Sequence, residues 1–160
     1  TAYSKIRTRN GENRMKITLK NYELSAALLF IQEMALKAAD SRHRSKFKSS
    51  LIEAVKGLQE SELELYELYG EKDSEGQLII NEEKTGYEIK AENRHQFYQE
   101  MNVLLDEEVV IKSGLYAKNF EKFGQVLANY DGVISGKEAD IYDRLMDEFE
   151  KQEEKQDVKD

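Results

Sequence analysis

The chain has 160 residues, a formal net charge of −8, two histidines, and neither cysteine nor proline. Its length is typical of one domain with its own core, and the absence of proline favours long uninterrupted helices. Without cysteine there are no disulfides, thiolate metal sites or cysteine nucleophiles, and two histidines are too few for a histidine-rich metal site.

The chain begins with a polar, basic segment. Thr1–Arg14 contains four Lys and Arg and the Asn10-Gly11 turn signal. Met15 then opens the sequence MKITLKNYEL, which is typical of a natural protein start. We therefore expect residues 1–14 to be a flexible basic arm or an upstream extension that lies outside the fold.

The most apolar part of the chain is Leu24–Ala39, where twelve of sixteen residues are apolar. A helix that is apolar around most of its circumference needs neighbours on several sides, so this segment predicts a buried central helix. It is too short and, with Gln32 and Glu33, too polar to span a bilayer. Met15–Leu19, just before it, predicts a short extended entry.

A basic cluster follows, and we interpret its segment, Asp40–Lys48, as the turn into the second helix. Its basic side chains are Arg42, His43, Arg44, Lys46 and Lys48. From Phe47 to Tyr69 an apolar stripe recurs at helical spacing, with the glutamates largely outside it. This stripe predicts a second helix that packs on the first as an αα-hairpin.

The middle of the chain predicts β-structure. Leu78–Ile80 and Tyr87–Ile89 are short apolar runs separated by a polar loop, which is typical of a hairpin. A lone hairpin is marginally stable in water, so Val109–Ile111 is a candidate third strand. Between them, a helix is predicted from about Asn93 to Leu105.

Two amphipathic helices are predicted to close the chain. In Tyr116–Tyr130, aromatic and apolar residues recur at spacings of four, three, four and three, and Ile141–Phe149 follows a Ser135–Glu138 capping box. Glu150–Asp160 has one apolar residue and predicts a flexible charged tail.

Together these elements predict a mainly α (α+β) fold. About five helices surround a buried central helix, with a small antiparallel β-hairpin or three-stranded sheet. Residues 15–149 are expected to form a single globular domain between the basic arm and the charged tail.

The sequence offers no motif for catalysis or cofactor binding. It contains no G-x-S-x-G, G-x-G-x-x-G or G-x-x-x-x-G-K-[ST] pattern. An acidic chain yields many carboxylate pairs by composition alone, so such pairs do not indicate acid–base chemistry. We therefore expect no enzymatic activity, no metal site and no cofactor.

Charge divides the chain into a basic and an acidic part. Thr1–Lys56 carries a balance of +7 and Gly57–Asp160 a balance of −15. The two parts either neutralise each other in the fold or form surfaces with separate partners. If the acidic part binds a partner, the candidate residues lie outside the apolar stripes of the last two helices: Glu121, Asp140, Asp143 and Asp147. Such a face could imitate a nucleic-acid backbone.

The basic cluster has the charge type that neutralises phosphates. Overall acidity and the lack of a recognisable nucleic-acid-binding motif favour a solvated turn facing the acidic half instead. The sequence also leaves open whether its nine tyrosines pack at the margin of the core or lie in a protein interface, since tyrosine is common in both places.

From Met15 onward, the order of four segments resembles a known group of proteins. The segments are MKITLKNYEL, ELYELYGEKDSEGQLI, GYEIKAENRHQFYQEMNVLLDEEVVIK and ISGKEADIYDRLMDEF. In this order they resemble the small uncharacterised proteins encoded by phages and prophages of Gram-positive bacteria, a family of unknown function. The resemblance covers about nine-tenths of the chain. It implies a phage origin and the cytoplasm of the bacterial host, and it carries over no site residues.

Three functions remain open at this point. The first is an accessory protein that binds and modulates a host or defence protein, because blocking needs a surface and no chemistry. The second is a structural or assembly accessory of the virion, which would self-associate, and the third is a nucleic-acid-binding module. We expect the first, with an unidentified host or phage protein as partner. A homo-oligomer is left open, and neither nucleic acid nor a membrane is an expected partner.

Overall fold

The computed structural model describes residues 15–159, with side chains described as far as residue 153. These residues form two strands and five α-helices: β1 Lys16–Lys20, α1 Leu24–Glu33, α2 Ala38–Tyr69, α3 Arg94–Asp106, β2 Glu108–Lys112, α4 Ala117–Ala128 and α5 Lys137–Lys159. The predicted mainly helical fold with a small antiparallel sheet is confirmed. The arm at residues 1–14 lies outside the described residues.

The sheet pairs β1 with β2 in antiparallel register. Ile17 faces Ile111 across the ladder and Leu19 faces Val109, and the alternation of a strand sends these side chains to the core. The predicted entry at Met15–Leu19 is therefore a true strand. Its partner is Val109–Ile111, the candidate third strand, which pairs with β1 and not with the predicted hairpin.

The predicted hairpin strands do not form a regular ladder. Ile80 and Tyr87 make a single antiparallel bridge, and Ile89 makes another with Gly70. Ile79 and Ile80 are exposed, and only Ile89 among the two runs is buried. The physical reason is that this hairpin has no apolar face large enough to support a second sheet.

The predicted central helix is interrupted. α1 ends at Glu33, and the backbone is extended at Met34 (ψ 127°) and Lys37 (ψ 154°) before α2 begins. The interpretation of the basic cluster as a turn is therefore wrong, because Asp40–Lys48 forms early turns of the 32-residue helix α2.

Two groups of buried side chains form the interior, and α2 contributes to both. In the larger group, the Phe47 ring of α2 lies 5.2 Å from Phe120, 5.3 Å from Phe123 and 5.6 Å from Phe149. α1 buries one face there, but its Leu29 is 59% exposed. The predicted central helix is therefore buried along one face, with Leu24, Ala27, Phe30 and Ile31 in the core, whereas α2 buries Phe47 and Leu51.

The smaller group lies between the C-terminal half of α2, the hairpin and α3. Ile89, Phe97 and Met101 are buried in it, and Tyr66 and Tyr69 pack against them. The C-terminal half of α2 therefore extends beyond the larger group and packs against the smaller one.

α5 covers the outer edge of β1. Two backbone N–H groups of the strand donate to side chains of α5, Lys16 to Gln152 (3.3 Å) and Thr18 to Glu148 (3.0 Å). The next alternate N–H group, that of Lys20, donates to Glu23 just before α1 (2.7 Å). Such cover blocks edge-to-edge pairing with another chain. α5 continues to Lys159, so the part of the predicted tail at residues 150–159 is helical. No helix in residues 15–159 is both long and apolar enough to cross a membrane.

Candidate functional site

The strongest charge asymmetry in the molecule lies at residues 57–107, the C-terminal half of α2, the hairpin and α3. We call this region the acidic lobe. It carries fourteen Asp and Glu against four Lys and Arg, a net charge of −10. Two ion pairs involve its described carboxylates, Lys72 with Glu67 at 3.1 Å and Lys20 with Asp106 at 2.7 Å. Most of its negative charge is therefore available to act on a partner.

Aromatic rings meet at the surface of the acidic lobe. The Tyr66 ring of α2 lies 5.1 Å from Tyr87 of the hairpin and 5.2 Å from Phe97 of α3. Tyr98 follows on α3, packs edge-on against Phe97 at 5.3 Å, and is 57% exposed. Phe97 anchors α3 in the smaller group of buried side chains and places Tyr98 beside it at the rim.

Glu62 is half-buried one turn before Tyr66 on α2. Burial raises the pKa of Glu62 above its ordinary value. The pKa of Tyr66 is also raised, first by burial and then by the nearby charge of Glu62. Residues 15–153 offer no cation within ion-pair distance of the Glu62 carboxylate. The Glu62 carboxylate beside Tyr66 has thus lost water without gaining a positive partner from residues 15–153.

The acidic residues proposed from the sequence lie on two helices. Asp140, Asp143 and Asp147 are exposed at spacings of three and four residues, so they form one stripe on α5. Glu121 is exposed on α4, three residues after Lys118 and next to Lys122. The aspartates thus share a face, whereas two neighbouring lysines offset the charge of Glu121.

The basic cluster is partly occupied by contacts within the fold. The Arg44 guanidinium donates to the carbonyl oxygens of Ile31 (3.1 Å) and Met34, at the end of α1. Lys46 lies 4.4 Å above the ring of Tyr116. His43 shares a hydrogen bond of 3.2 Å with Asn119. The remaining two members are the exposed Arg42 and the half-buried Lys48.

An open groove of about 450 Å³ runs beside His43, between the start of α2 and the end of α4. Lys37 and Lys122 line it together with Asp40 and Asp131. Because both signs of charge alternate around it, the groove offers neither an anion nor a cation a uniform field. In the part of the chain that the structure describes, no three His, Asp or Glu are grouped to hold a metal ion.

Sequence reasoning noted the glutamates and tyrosines of the acidic lobe but did not place them together. Their convergence depends on α3 and the hairpin folding back on α2, which no local pattern specifies. A signal was available nonetheless, since the charge of residues 57–107 exceeds in magnitude that of the whole chain.

These features define the class of the protein as a small, mainly α domain with an acidic, tyrosine-bearing surface. Residues 15–156 match the family model described as Protein of unknown function (DUF1617), and the chain belongs to that family. The expected membership in an uncharacterised family is thereby confirmed. No curated protein and no solved structure matches the chain.

Proposed function

We propose that this protein is a phage-type accessory protein that works by binding another protein. Its place of action is the cytoplasm of the bacterial host, and its target is a host or defence protein that it inhibits or modulates. The order of segments that resembles phage and prophage proteins supports this origin. The binding surface is the acidic lobe.

One observation carries the choice of surface. The acidic lobe has a net charge of −10, whereas the whole chain has −8, so the rest of the molecule is slightly positive. A concentrated field of one sign steers a partner of opposite charge and suppresses wrong partners. The partner surface is therefore basic.

A nucleic-acid partner is disfavoured by the same charges. Phosphates need cations that are free to replace their counterions, and a field of −10 repels them. In the basic cluster, Arg44 is committed to α1 and Lys46 to Tyr116. A basic protein surface suits the exposed charges better.

The test is affinity capture from lysate of a Gram-positive host, with and without nuclease, using two variants of equal charge change. Glu64, Glu82 and Glu83 are exposed in the acidic lobe, and Asp140, Asp143 and Asp147 are exposed on α5. Each set is reversed to lysine in its own triple variant, which changes the net charge equally. Circular dichroism verifies that both variants remain folded.

We expect the acidic-lobe variant to lose a nuclease-resistant protein partner that the α5 variant retains. Capture by the unmodified chain should weaken from low to physiological ionic strength, because exposed charges are screened over about 8 Å at 0.15 M salt. Loss in the α5 variant alone would move the binding surface to the aspartate stripe. Equal loss in both, or capture that disappears with nuclease, would overturn the proposal.

A further inference from the structure

Five side chains from three elements are grouped around Tyr66 at the surface of the acidic lobe. We call it the aromatic patch and define it as Leu63, Tyr66, Ile80, Tyr87 and Tyr98. Tyr66 contacts Tyr87, which pairs with Ile80 across the hairpin, and Leu63 lies one turn before Tyr66 on α2. Leu63 is 45% exposed and Ile80 63% exposed. Tyr66 and Tyr87 are half-buried, so the patch is open to solvent mainly at Leu63, Ile80 and Tyr98, within a negatively charged region.

Glu62 lies in the same turn of α2 as Leu63 and acts on Tyr66 through its charge. The aromatic patch thus has a carboxylate, that of Glu62, beside Tyr66. Aromatic ring faces attract cations, and a partly desolvated carboxylate gains more from a cation than a fully hydrated one does.

We propose that the aromatic patch docks an arginine side chain, followed by an apolar residue, from a basic segment of a partner protein. The guanidinium lies on the exposed Tyr98 ring beside the half-buried Tyr66 and bonds to Glu62, and the apolar residue contacts Ile80 and Leu63. This assignment rests on the proposed function and specifies the partner's chemistry.

Arginine fits this surface better than lysine does. Its guanidinium is planar, stacks on aromatic rings, bonds a carboxylate in two places and is more weakly hydrated than an ammonium. Binding at the patch withdraws the cation from water, so weaker hydration lowers the cost. Arginine and tyrosine are also enriched at the centres of protein interfaces.

Other occupants match the surface less well. Bases of a single strand would stack on the tyrosines, but their phosphates would meet the −10 charge of the acidic lobe. A second copy of the chain carries the same net charge of −8, so the two copies repel each other. A partner with a free arginine bears neither cost.

The test is a titration of the full ¹⁵N-labelled chain, followed by NMR, with a capped peptide of alternating arginine and leucine. Two matched peptides replace every arginine, one with citrulline, which keeps the shape without the charge, and one with lysine. We expect saturable shifts confined to the signals around residues 62–66, 80–87 and 98. The citrulline peptide should bind at least about tenfold more weakly, and the lysine peptide several-fold more weakly.

Variants locate the site. Tyr98 and Tyr22 are almost equally exposed, at 57% and 59%, and Tyr22 lies outside the aromatic patch, before α1. Tyr98→Ala should weaken binding of the arginine peptide about tenfold, and Tyr22→Ala should leave it unchanged. Glu62→Gln should also weaken it, with the unbound spectrum verifying the fold in each case.

Equal binding of the arginine and citrulline peptides, shifts that map elsewhere, or no shifts at all would overturn this inference. So would equal affinity for the lysine peptide. None of these results would contradict the proposed function, because the charge reversals at Glu64, Glu82 and Glu83 test the acidic lobe independently of the aromatic patch.

Discussion

Arg144 and Glu148, one turn apart on α5, form an ion pair of 2.7 Å at the point where the helix meets β1. The same guanidinium donates to the carbonyl oxygen of Thr18 at 2.8 Å, and the Glu148 carboxylate accepts from the N–H of Thr18 at 3.0 Å. Glu23 and Lys151 complete the set, at 3.1 and 2.7 Å. The pair therefore fixes the edge strand to the last helix.

Glu148→Gln should lower the free energy of unfolding by about 3 kcal/mol, because it removes one partner of a buried ion pair and leaves Arg144 without its nearest counter-charge. The Glu148 side chain is only 5% exposed. Asp147→Asn, at the exposed neighbouring position, is the matched control and should change stability by less than about 0.5 kcal/mol. Urea denaturation of both variants gives the comparison, and equal effects would contradict a structural role for the pair.

The same carboxylate predicts how stability depends on acid. Burial alone would raise the pKa of Glu148, but hydrogen bonds from Lys151, Arg144 and the Thr18 N–H outweigh burial and lower that pKa below its ordinary value. A carboxyl with a depressed pKa stabilises the fold above its unfolded pKa and loses that contribution as pH falls through the folded value. We expect the stability difference between the unmodified chain and Glu148→Gln to be constant above about pH 5 and to shrink below about pH 4.5. A difference that grew on acidification would refute the assignment.

The sequence predicted the elements whose pattern is local. Phe120, Phe123 and Leu127 recur at helical spacing, and all three are buried in α4. The break between α1 and α2 was not predictable, because the residues from Met34 to Lys37 include neither glycine nor proline. What closes α1 is a tertiary contact, the Arg44 guanidinium on its last carbonyl groups. Arg44, which the sequence placed in a basic cluster, thus stabilises the end of α1.

The candidate site was predictable only in its charge. Local counts of Asp and Glu identify residues 57–107 as acidic, but the aromatic patch joins Tyr66, Ile80 and Tyr98 from three separate elements. The pairing of β1 with β2 was hidden in the same way, since Ile17 and Ile111 are far apart in the chain.

Arg44→Ala should destabilise the protein by about 2 kcal/mol, because partly buried carbonyl groups at the end of α1 lose a charged hydrogen-bond donor. Arg42→Ala removes the same charge from an exposed position two residues earlier and should have little effect. Thermal unfolding of the two variants, followed by circular dichroism, distinguishes them. Similar melting temperatures would mean that Arg44 belongs to the surface.

Two glycines within helices should respond to alanine with opposite sign. A Cβ at Gly124 of α4 would lie 2.8 Å from a ring carbon of Phe149, whereas a Cβ at Gly57 of α2 would meet nothing within 4 Å. Gly124→Ala should therefore cost about 1–3 kcal/mol through overpacking, despite its better helix propensity. Gly57→Ala should gain about 0.5–1 kcal/mol from propensity alone. Denaturant midpoints of the two variants that moved in the same direction would contradict the close packing of α4 on α5.

Glu62→Gln should raise the melting temperature at pH 7. Burial raises the pKa of Glu62, so the folded protein binds the proton more tightly than the unfolded chain does, and the ionised carboxylate disfavours folding above that pKa. Neutral glutamine removes this cost, and the advantage should vanish as pH falls below the ordinary glutamate range, where Glu62 is protonated in both states. Glu60→Gln, at an exposed position on the same helix, should show neither effect.

Bound arginine peptide should reverse the order of the two melting temperatures at pH 7, because the peptide then stabilises the unmodified chain, which keeps the Glu62 carboxylate. A Glu62→Gln variant that melted lower without ligand would show that Glu62 already has a cationic partner, and the aromatic patch would have no unmet charge to offer.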